Sequence, residues 1–278
     1  MPYSYPLSLL CWALLWGGLG LGLVAAKVPA APRRVGLVAL ACALHALALV
    51  LPWQAVAATL GLAPVVTSKP LDHSIAWAGK AAALLVSVLF IYGLRWVSPA
   101  EVGLRSPRAA SLRVVGAVVG AVALAVFATA YAGRQHFLSL WWYEGLFYSL
   151  VPGMEEELFY RGVLLGLVGP VFARTIPLPS TRTSWGGLAG VLLFGLGHSL
   201  KFFPIYNAAN NILMSQAHLV SRVSWWQPLL YFLLNDTAYP LLMGLLFLWV
   251  RERTGSVWAA MAAHCLLNTA LTSGRMLA

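Results

Sequence analysis

Charged residues are scarce in this chain of 278 residues, of which 9% are charged and 60% are hydrophobic. A soluble domain carries about a quarter charged residues. The shortage therefore argues against an ordinary soluble domain and indicates a protein whose solvent is lipid. Only eight residues are acidic, so the position of each acidic side chain is informative.

Cysteine is also sparse, and its spacing excludes two further classes of protein. Cys11, Cys42 and Cys265 lie far apart in apolar runs, and none of them forms a C-x-x-C pair. This pattern argues against a disulfide framework and against a thiolate metal site. The first apolar segment is not followed by a small-residue cleavage site, so we interpret it as a retained membrane span.

Long apolar segments are abundant, and eight of them reach the length needed to cross a hydrocarbon core, which is roughly 20 residues. The sequence therefore predicts an all-α fold, a polytopic transmembrane helix bundle of about eight spans in the cell membrane. We expect one integrated membrane domain, with N-terminal helices in residues 1–140 and a second group of helices in residues 141–278. The predicted spans are Leu7–Ala26, Val35–Leu51, Ile75–Val97, Ser111–Ala132, Trp141–Phe172, Trp185–Leu200, Pro228–Val250 and Ser256–Thr272, with Trp53–Val66 along the interface.

The basic residues are scattered in short loops, although the net charge is +10. This distribution is typical of membrane proteins and argues against nucleic-acid binding. Eleven basic residues lie in or beside the first, third, fifth and seventh loops, and five lie on the opposite side. The positive-inside rule then places both chain ends outside. The longest loop, residues 201–227, would also lie outside, where it could cap a site or meet a partner.

The fifth segment contains three consecutive carboxylates that end at Glu157. One ionised residue at the centre of a span costs roughly 2.5–3.5 kcal/mol, so the cluster requires compensation. Glu157 and Arg161 are four residues apart and can pair on one helix face. Glu156 has no obvious charge partner within its own helix. Pro152 and Gly153, one turn earlier, are expected to loosen the backbone and to make room for water.

Two other segments place polar groups at membrane depth. The sixth ends at His198, after Gly195 and Gly197, whose small size lets another helix approach closely. The eighth contains His264 and Asn268, which are four residues apart and project from one face. Polar groups on three helices must find each other or water. The sequence therefore predicts one polar pocket between these helices.

These residues resemble the CPBP intramembrane protease family, which includes the CAAX prenyl endopeptidases and bacteriocin-processing or immunity-associated members. The resemblance consists of E-E-x-x-x-R at residues 156–161, F-x-x-x-H at residues 194–198 and H-x-x-x-N at residues 264–268. Gly244 and the turn at Arg253–Ser256 are also similar to the family's approach to its last motif. Each motif alone is weak, but three in order are specific. The resemblance implies that residues 141–278 hold a catalytic helical core.

The resemblance also implies a role for each polar residue. Glu156 would hold and deprotonate a water that His198 shares. A general base of this kind works best when its pKa lies near the operating pH. Glu157 and Arg161 would position Glu156. His264 and Asn268 would be the donors that stabilise the oxyanion.

Metal dependence stays open at the level of sequence, because family members have been treated both as metalloproteases and as metal-independent glutamate proteases. The chain has no His-Glu-x-x-His motif on one helix. Glu156, His198 and His264 could still form a three-ligand zinc site with an open position. We predict no cofactor and no metal, with zinc as the alternative.

The predicted function is an intramembrane endopeptidase that cleaves near a membrane-embedded or lipidated end of a membrane-anchored protein or peptide. An outward-facing site would suit a sorting protease for C-terminal anchors of exported proteins. The alternatives are a proton-coupled membrane transporter and a non-catalytic, immunity-type membrane protein. Transporters often carry inverted repeats, and we find none in the sequence.

Four other polar residues in apolar runs require an interpretation. Glu155 makes the acidic run three residues long, so the E-E-x-x-x-R motif could begin at Glu155 or at Glu156. Only a motif that begins at Glu156 has an arginine, Arg161, at its last position. We interpret His45 as a packing residue. Lys80 is expected to extend its amine to the membrane interface. Asp236 is expected to line the cavity or to pair with a basic group.

Overall fold

The computed structural model describes residues 32–50, 72–133, 142–199 and 237–277, and most of these are helical. Two helices continue into π-helical stretches, in which the backbone is wound more widely than in an α-helix. The α-helices are α1 (Pro32–Val50), α2 (Asp72–Val88), α3 (Pro99–Val102), α4 (Ala109–Ala132), α5 (Trp142–Glu157), α6 (Leu165–Val168), α7 (Trp185–Ser199), α8 (Tyr239–Thr254) and α9 (Val257–Leu277). The stretch π1 (Leu89–Gly93) follows α2, and π2 (Leu158–Leu164) joins α5 to α6.

Described helices lie at each predicted span from the second to the eighth, which confirms the helical character of the fold. The first predicted span, the predicted interfacial segment and the start of the seventh span lie outside the described residues. Within the part described, α4 is the helix long and apolar enough to cross a membrane by length and composition, with a hydropathy of 2.2. Three shorter apolar helical segments accompany it: Gly36–Leu49, Ala78–Gly93 and Trp185–Gly195. The number of spans, eight, stays a prediction.

A small β-hairpin lies in the fifth loop of this mostly helical fold. Ile176–Leu178 pairs antiparallel with Thr181–Thr183. Ser180 adopts a left-handed φ of 57° in the turn between them. The hairpin is tied to the end of α8, where the indole nitrogen of Trp249 donates to the carbonyl of Pro179 at 2.9 Å. The two strands have three residues each, too few to show the alternating pattern by which strands are recognised in sequence.

Helix α5 and its π-helical continuation π2 lie at the centre of the described fold. Helices α2 and α9 pack on α5, α7 and α8 pack on each other, and α4 covers α9. Gly153 allows α5 and α9 to approach closely, because a Cβ at this position would lie 2.9 Å from the backbone nitrogen of Cys265. Helix α5 continues through Pro152 and Gly153, so the two residues do not end it, and the predicted loosening of the backbone stays a prediction. The glycine brings the acidic helix against the histidine helix.

The predicted odd-numbered loops meet at one end of the bundle. The guanidinium of Arg34 lies 3.6 Å from the carboxylate of Glu101, and Arg105 donates to the carbonyl of Gly255 at 2.8 Å. Arg174, from the fifth loop, lies 3.2 Å from the carboxylate of Glu252 at the end of α8. These contacts place Arg34, Arg105 and Arg174, three members of the larger basic group, at the same end. The side of the membrane that they face stays a prediction.

Candidate active site

The carboxylate of Glu157 joins an arginine to a histidine in the centre of the bundle. Its Oε1 atom accepts one hydrogen bond from Nη1 of Arg161 and another from Nδ1 of His264, each at 2.9 Å. Glu157 is fully buried, and Arg161 is 2% exposed. Hydrogen bonds to ionised groups are shorter and stronger than neutral ones. The predicted pairing of Glu157 with Arg161 is therefore present, and it extends to His264.

The surroundings of Arg161 explain how its charge is held in an apolar interior. Its Nη2 donates to the carbonyl of Gly244 at 2.8 Å, and its guanidinium lies 4.4 Å from the ring centre of Phe194. A Cβ at Gly244 would lie 3.0 Å from Nη2 and 3.2 Å from that ring, so the glycine leaves room for the guanidinium. Arg161 lies within π2, and its own carbonyl accepts from Nε of Arg251 at 3.2 Å.

Glu156 faces His198 and His264, the two histidines predicted from the sequence to be site residues. Its Oε2 atom lies 3.9 Å from Nε2 of His198 and 4.0 Å from Nε2 of His264. These separations exceed a direct hydrogen bond, which spans about 2.7–3.2 Å. Two atoms about 4 Å apart can both lie within hydrogen-bond distance of one water molecule. The arrangement therefore leaves room for a water between Oε2 of Glu156 and either imidazole.

The other ring nitrogen of each histidine is held by the protein. Nδ1–H of His198 donates to the carbonyl of Phe194 at 2.9 Å, and Nδ1–H of His264 donates to Glu157. Because a carbonyl and a carboxylate accept, both Nδ1 atoms carry hydrogen. Each Nε2 atom is then directed toward Glu156. The ring of His264 also stacks on Phe247 at 4.3 Å between ring centres, which restrains its orientation.

Two residues from the N-terminal helices enter this site. The interpretation of Lys80 was wrong, whereas His45 packs in the core as expected and also contacts a carboxylate. Nζ of Lys80 donates to Oε2 of Glu155 and to Oε1 of Glu156, each at 2.6 Å, so the amine points inward and not to the interface. Nε2 of His45 contacts Oε1 of Glu155, and its ring stacks on Phe159 at 3.6 Å. Glu156 thus has its charge partner on another helix. The excess of buried acid over base in α5 was the available signal for such a partner.

Of the residues selected from the sequence, Asn268 lies less centrally and Asp236 lies outside the described residues. Asn268 is on α9, one turn beyond His264 and half-buried, and no hydrogen bond joins its side chain to another described residue. Asp236 and the loop at residues 201–227 fall outside the described ranges. The structure brings together the remaining five: Glu156, Glu157, Arg161, His198 and His264.

The residues predicted as zinc ligands have the right chemistry but a different spacing. Two imidazoles with anchored Nδ1–H groups and a carboxylate form a donor set that zinc accepts. Bonds of about 2.0–2.1 Å in a tetrahedron would place neighbouring ligand atoms about 3.3 Å apart. The Glu156 oxygen lies 3.9 and 4.0 Å from the two nitrogens, and Lys80 binds the same carboxylate. No group of three potential ligands within the described ranges is arranged to hold a metal ion.

A comparison with known protein families covers the part of the chain that carries this site. Residues 137–270 match the model of the Rce1-like family, described as type II CAAX prenyl endopeptidase Rce1-like. No curated protein and no solved structure matches the chain. The matched segment includes all three motifs and excludes the helices that supply His45 and Lys80.

The matched family consists of membrane-embedded hydrolases, proteases that act on membrane-associated peptides or proteins. The segment at residues 137–270 is similar to the Rce1-like type II CAAX prenyl endopeptidases, and this match supports a CPBP family intramembrane protease. The resemblance seen in the sequence is thereby confirmed. The roles of individual residues, the metal requirement and the substrate are proposals.

Proposed function

We propose that the protein hydrolyses a peptide bond with a water molecule that Glu156 activates, without a metal ion. The observation that carries this proposal is the position of Oε2 of Glu156, which lies 3.9 and 4.0 Å from the two imidazole Nε2 atoms. A base must lie within hydrogen-bond reach of the proton that it removes, directly or through one water. A water hydrogen-bonded to Oε2 of Glu156 meets that condition.

The reaction then proceeds in two steps whose atoms balance. Glu156 takes one proton from the water, and the hydroxide oxygen attacks the carbonyl carbon of the peptide to form a tetrahedral oxyanion. Glu156 returns that proton to the leaving nitrogen as the carbon–nitrogen bond breaks, which yields a carboxylic acid and an amine. His198 holds the attacking water through Nε2. One carboxylate thus serves as base and then as acid.

His264 and Asn268 stabilise the oxyanion in this proposal. Because Nδ1–H of His264 already binds Glu157, Nε2 can donate only when the imidazole is protonated. The carboxylate of Glu157 would then compensate the positive charge of the ring. Donors fixed in a site from which water is excluded stabilise developing charge strongly. Asn268 would reach the oxyanion from the next turn of α9.

The substrate proposed is a protein with a membrane-embedded or lipidated end. If the basic end of the bundle faces the cytoplasm, both chain ends lie outside and the site opens outward. A C-terminal anchor of an exported protein then fits better than a prenylated cytosolic tail. A reporter fused after Ala278 tests the orientation, and a cytoplasmic signal would contradict the outward-facing arrangement.

The test of the reaction follows candidate anchored proteins in cells that carry the wild type, Glu156→Gln or Glu101→Gln. Glu101 is a control because its carboxylate belongs to a capping interaction with Ser98 and to the ion pair with Arg34. The tail should be removed by the wild type and by Glu101→Gln, and it should remain with Glu156→Gln. Equal cleavage with Glu156→Gln would contradict the assigned base. Solute transport by purified protein that cleaves no peptide would favour a transporter.

A further inference from the structure

Lys80 is the group that connects the N-terminal helices to the proposed active site. Its side chain is 17% exposed, and its Nζ atom lies 2.6 Å from one oxygen of Glu155 and 2.6 Å from one oxygen of Glu156. It comes from α2, which precedes the segment that matches the family. The family match therefore does not account for this residue.

The two oxygens of Glu156 have different neighbours. Oε1 is bound by Lys80, and Oε2 is the atom that faces His198 and His264. A carboxylate held by one oxygen loses rotational freedom about its last torsion. The amine therefore determines which oxygen is presented to the water. It also stabilises the ionised form of Glu156, in which the carboxylate can accept a proton.

We propose that Lys80 is a positioning residue of the protease: it holds Glu156 by Oε1 so that Oε2 meets the catalytic water. Glu155, with His45, holds Lys80 in turn. This inference rests on the proposed function of Glu156 as the base. It extends the site beyond the matched segment and assigns a purpose to the first carboxylate of the acidic run.

Glu155 becomes important when Glu156 changes its charge. When Glu156 accepts the proton of the water, it becomes neutral and attracts Lys80 less strongly. Glu155 does not take part in the reaction, so Lys80 remains paired with one carboxylate throughout the cycle. The contact of His45 with Glu155 and its stacking on Phe159 keep this carboxylate in place. Lys80 can then bind Glu156 again after the proton leaves.

A purely structural role for Lys80, as a tie between α2 and α5, makes a different prediction. Loss of the tie would lower thermal stability and reduce the amount of active protein. The turnover of the remaining folded protein would be unchanged. Measurement of kcat and KM on folded, monodisperse enzyme therefore separates positioning from structural support.

The experiment compares wild type, Lys80→Met, Lys80→Arg and Arg34→Met on one membrane-anchored peptide substrate. Arg34 is a matched control, because it is also a cation on an N-terminal helix and pairs with a carboxylate, Glu101, outside the site. We expect Lys80→Met to lower kcat about 100-fold, the loss that a displacement of about 1 Å can cause, with KM within about twofold of the wild type. Lys80→Arg retains the charge and should recover about tenfold of this loss.

A second measurement examines the ion network independently of cleavage. The thermal stabilities of Lys80→Met, Glu155→Gln and the double variant form a double-mutant cycle. We expect the double variant to be more stable than the sum of the single losses implies, because removal of both charges leaves fewer uncompensated groups. Additive losses would overturn the proposed pairing.

The outcomes distinguish this inference from the function on which it rests. If the wild type and Arg34→Met cleave and folded Lys80→Met cleaves with the same kcat, the positioning role is overturned and the proposed function stands. An increase in KM alone would overturn it as well. If the wild type cleaves no membrane-anchored substrate, both are overturned. A loss confined to kcat, with recovery in Lys80→Arg, supports the inference.

Discussion

Replacement of Glu157 by glutamine separates the charge of this residue from its hydrogen bonds. One oxygen, Oε1, accepts from both Arg161 and His264, so the amide oxygen of glutamine can keep both contacts. The amide nitrogen would then occupy the position of Oε2, which has no hydrogen-bond partner among the described residues. The substitution therefore removes a negative charge and adds a buried, unpaired donor.

The expected loss of stability follows from the burial of the pair. Arg161 is 2% exposed and Glu157 is fully buried, so solvent screens their interaction very little. Removal of one partner of a buried ion pair costs about 3–5 kcal/mol. We expect about 3 kcal/mol, the lower end, because the amide oxygen and the carbonyl of Gly244 still accept from the guanidinium.

The expected loss of activity follows from the loss of charge beside His264. A protonated imidazole is less stable next to an amide than next to a carboxylate, so fewer molecules can donate from Nε2. We expect kcat to fall about 100-fold, which corresponds to about 2.7 kcal/mol of transition-state stabilisation. KM should change little, because Glu157 is buried behind the histidine.

The assay measures kcat and KM on an anchored peptide, and thermal unfolding in detergent, for the wild type, Glu157→Gln and Glu101→Gln. Glu101 pairs with Arg34 at 3.6 Å, and both side chains are about one third exposed, so its loss should matter little. A Glu157→Gln enzyme with unchanged kcat and lowered stability would show that Glu157 supports only the fold. That result would refute the charge compensation proposed for His264.

Three further substitutions or treatments test other parts of the structure. Gly153→Ala would place a Cβ 2.9 Å from the backbone nitrogen of Cys265, so we expect it to destabilise the protein by about 1–3 kcal/mol and to lower cleavage. Gly120→Ala is the control, because a Cβ at that position would have nothing within 4 Å. Equal unfolding temperatures for the two variants would contradict the close approach of α5 and α9. Arg161→Lys should lower stability in thermal unfolding by roughly 2 kcal/mol, because lysine cannot reproduce the hydrogen bonds from two guanidinium nitrogens. Unchanged stability would show that a single positive charge is enough to hold Glu157. Chelators should leave cleavage unchanged, and metal analysis should find less than one ion per chain, since the spacing of the possible ligands does not suit zinc. Loss of cleavage with a chelator, and its recovery on addition of zinc, would contradict the metal-free mechanism.

The central site was predictable because polar side chains are rare in apolar segments. Glu157 and Arg161 could be paired from their spacing, and His264 could be added because buried polar groups must find partners. His45 and Lys80 could not be assigned in this way, since their contacts join residues 110 and 75 positions apart. No periodic pattern encodes such a distance. A count of charges over residues 155–161, three carboxylates against one arginine, would have shown that further cationic partners were needed.

The fold was predictable to the level of helices and less so in its irregular parts. Apolar length sufficed to locate described helices within one to several residues. The π-helical stretch Leu158–Leu164 has no signal in the sequence, because the same residues suit an α-helix. The hairpin at Ile176–Thr183 was missed because its strands are short and its anchor, Trp249, is distant in the chain. These features depend on tertiary contacts and not on local preference.

The order of the charges along the chain has a consequence for biosynthesis. His45 and Lys80 are translated before the acidic residues Glu155 to Glu157. Each acidic side chain that enters the bilayer alone would cost roughly 2.5–3.5 kcal/mol. We expect the earlier helices to offer countercharges to the acidic helix as it leaves the translocon. The contacts that prepare the mature site would then also lower the barrier to its insertion.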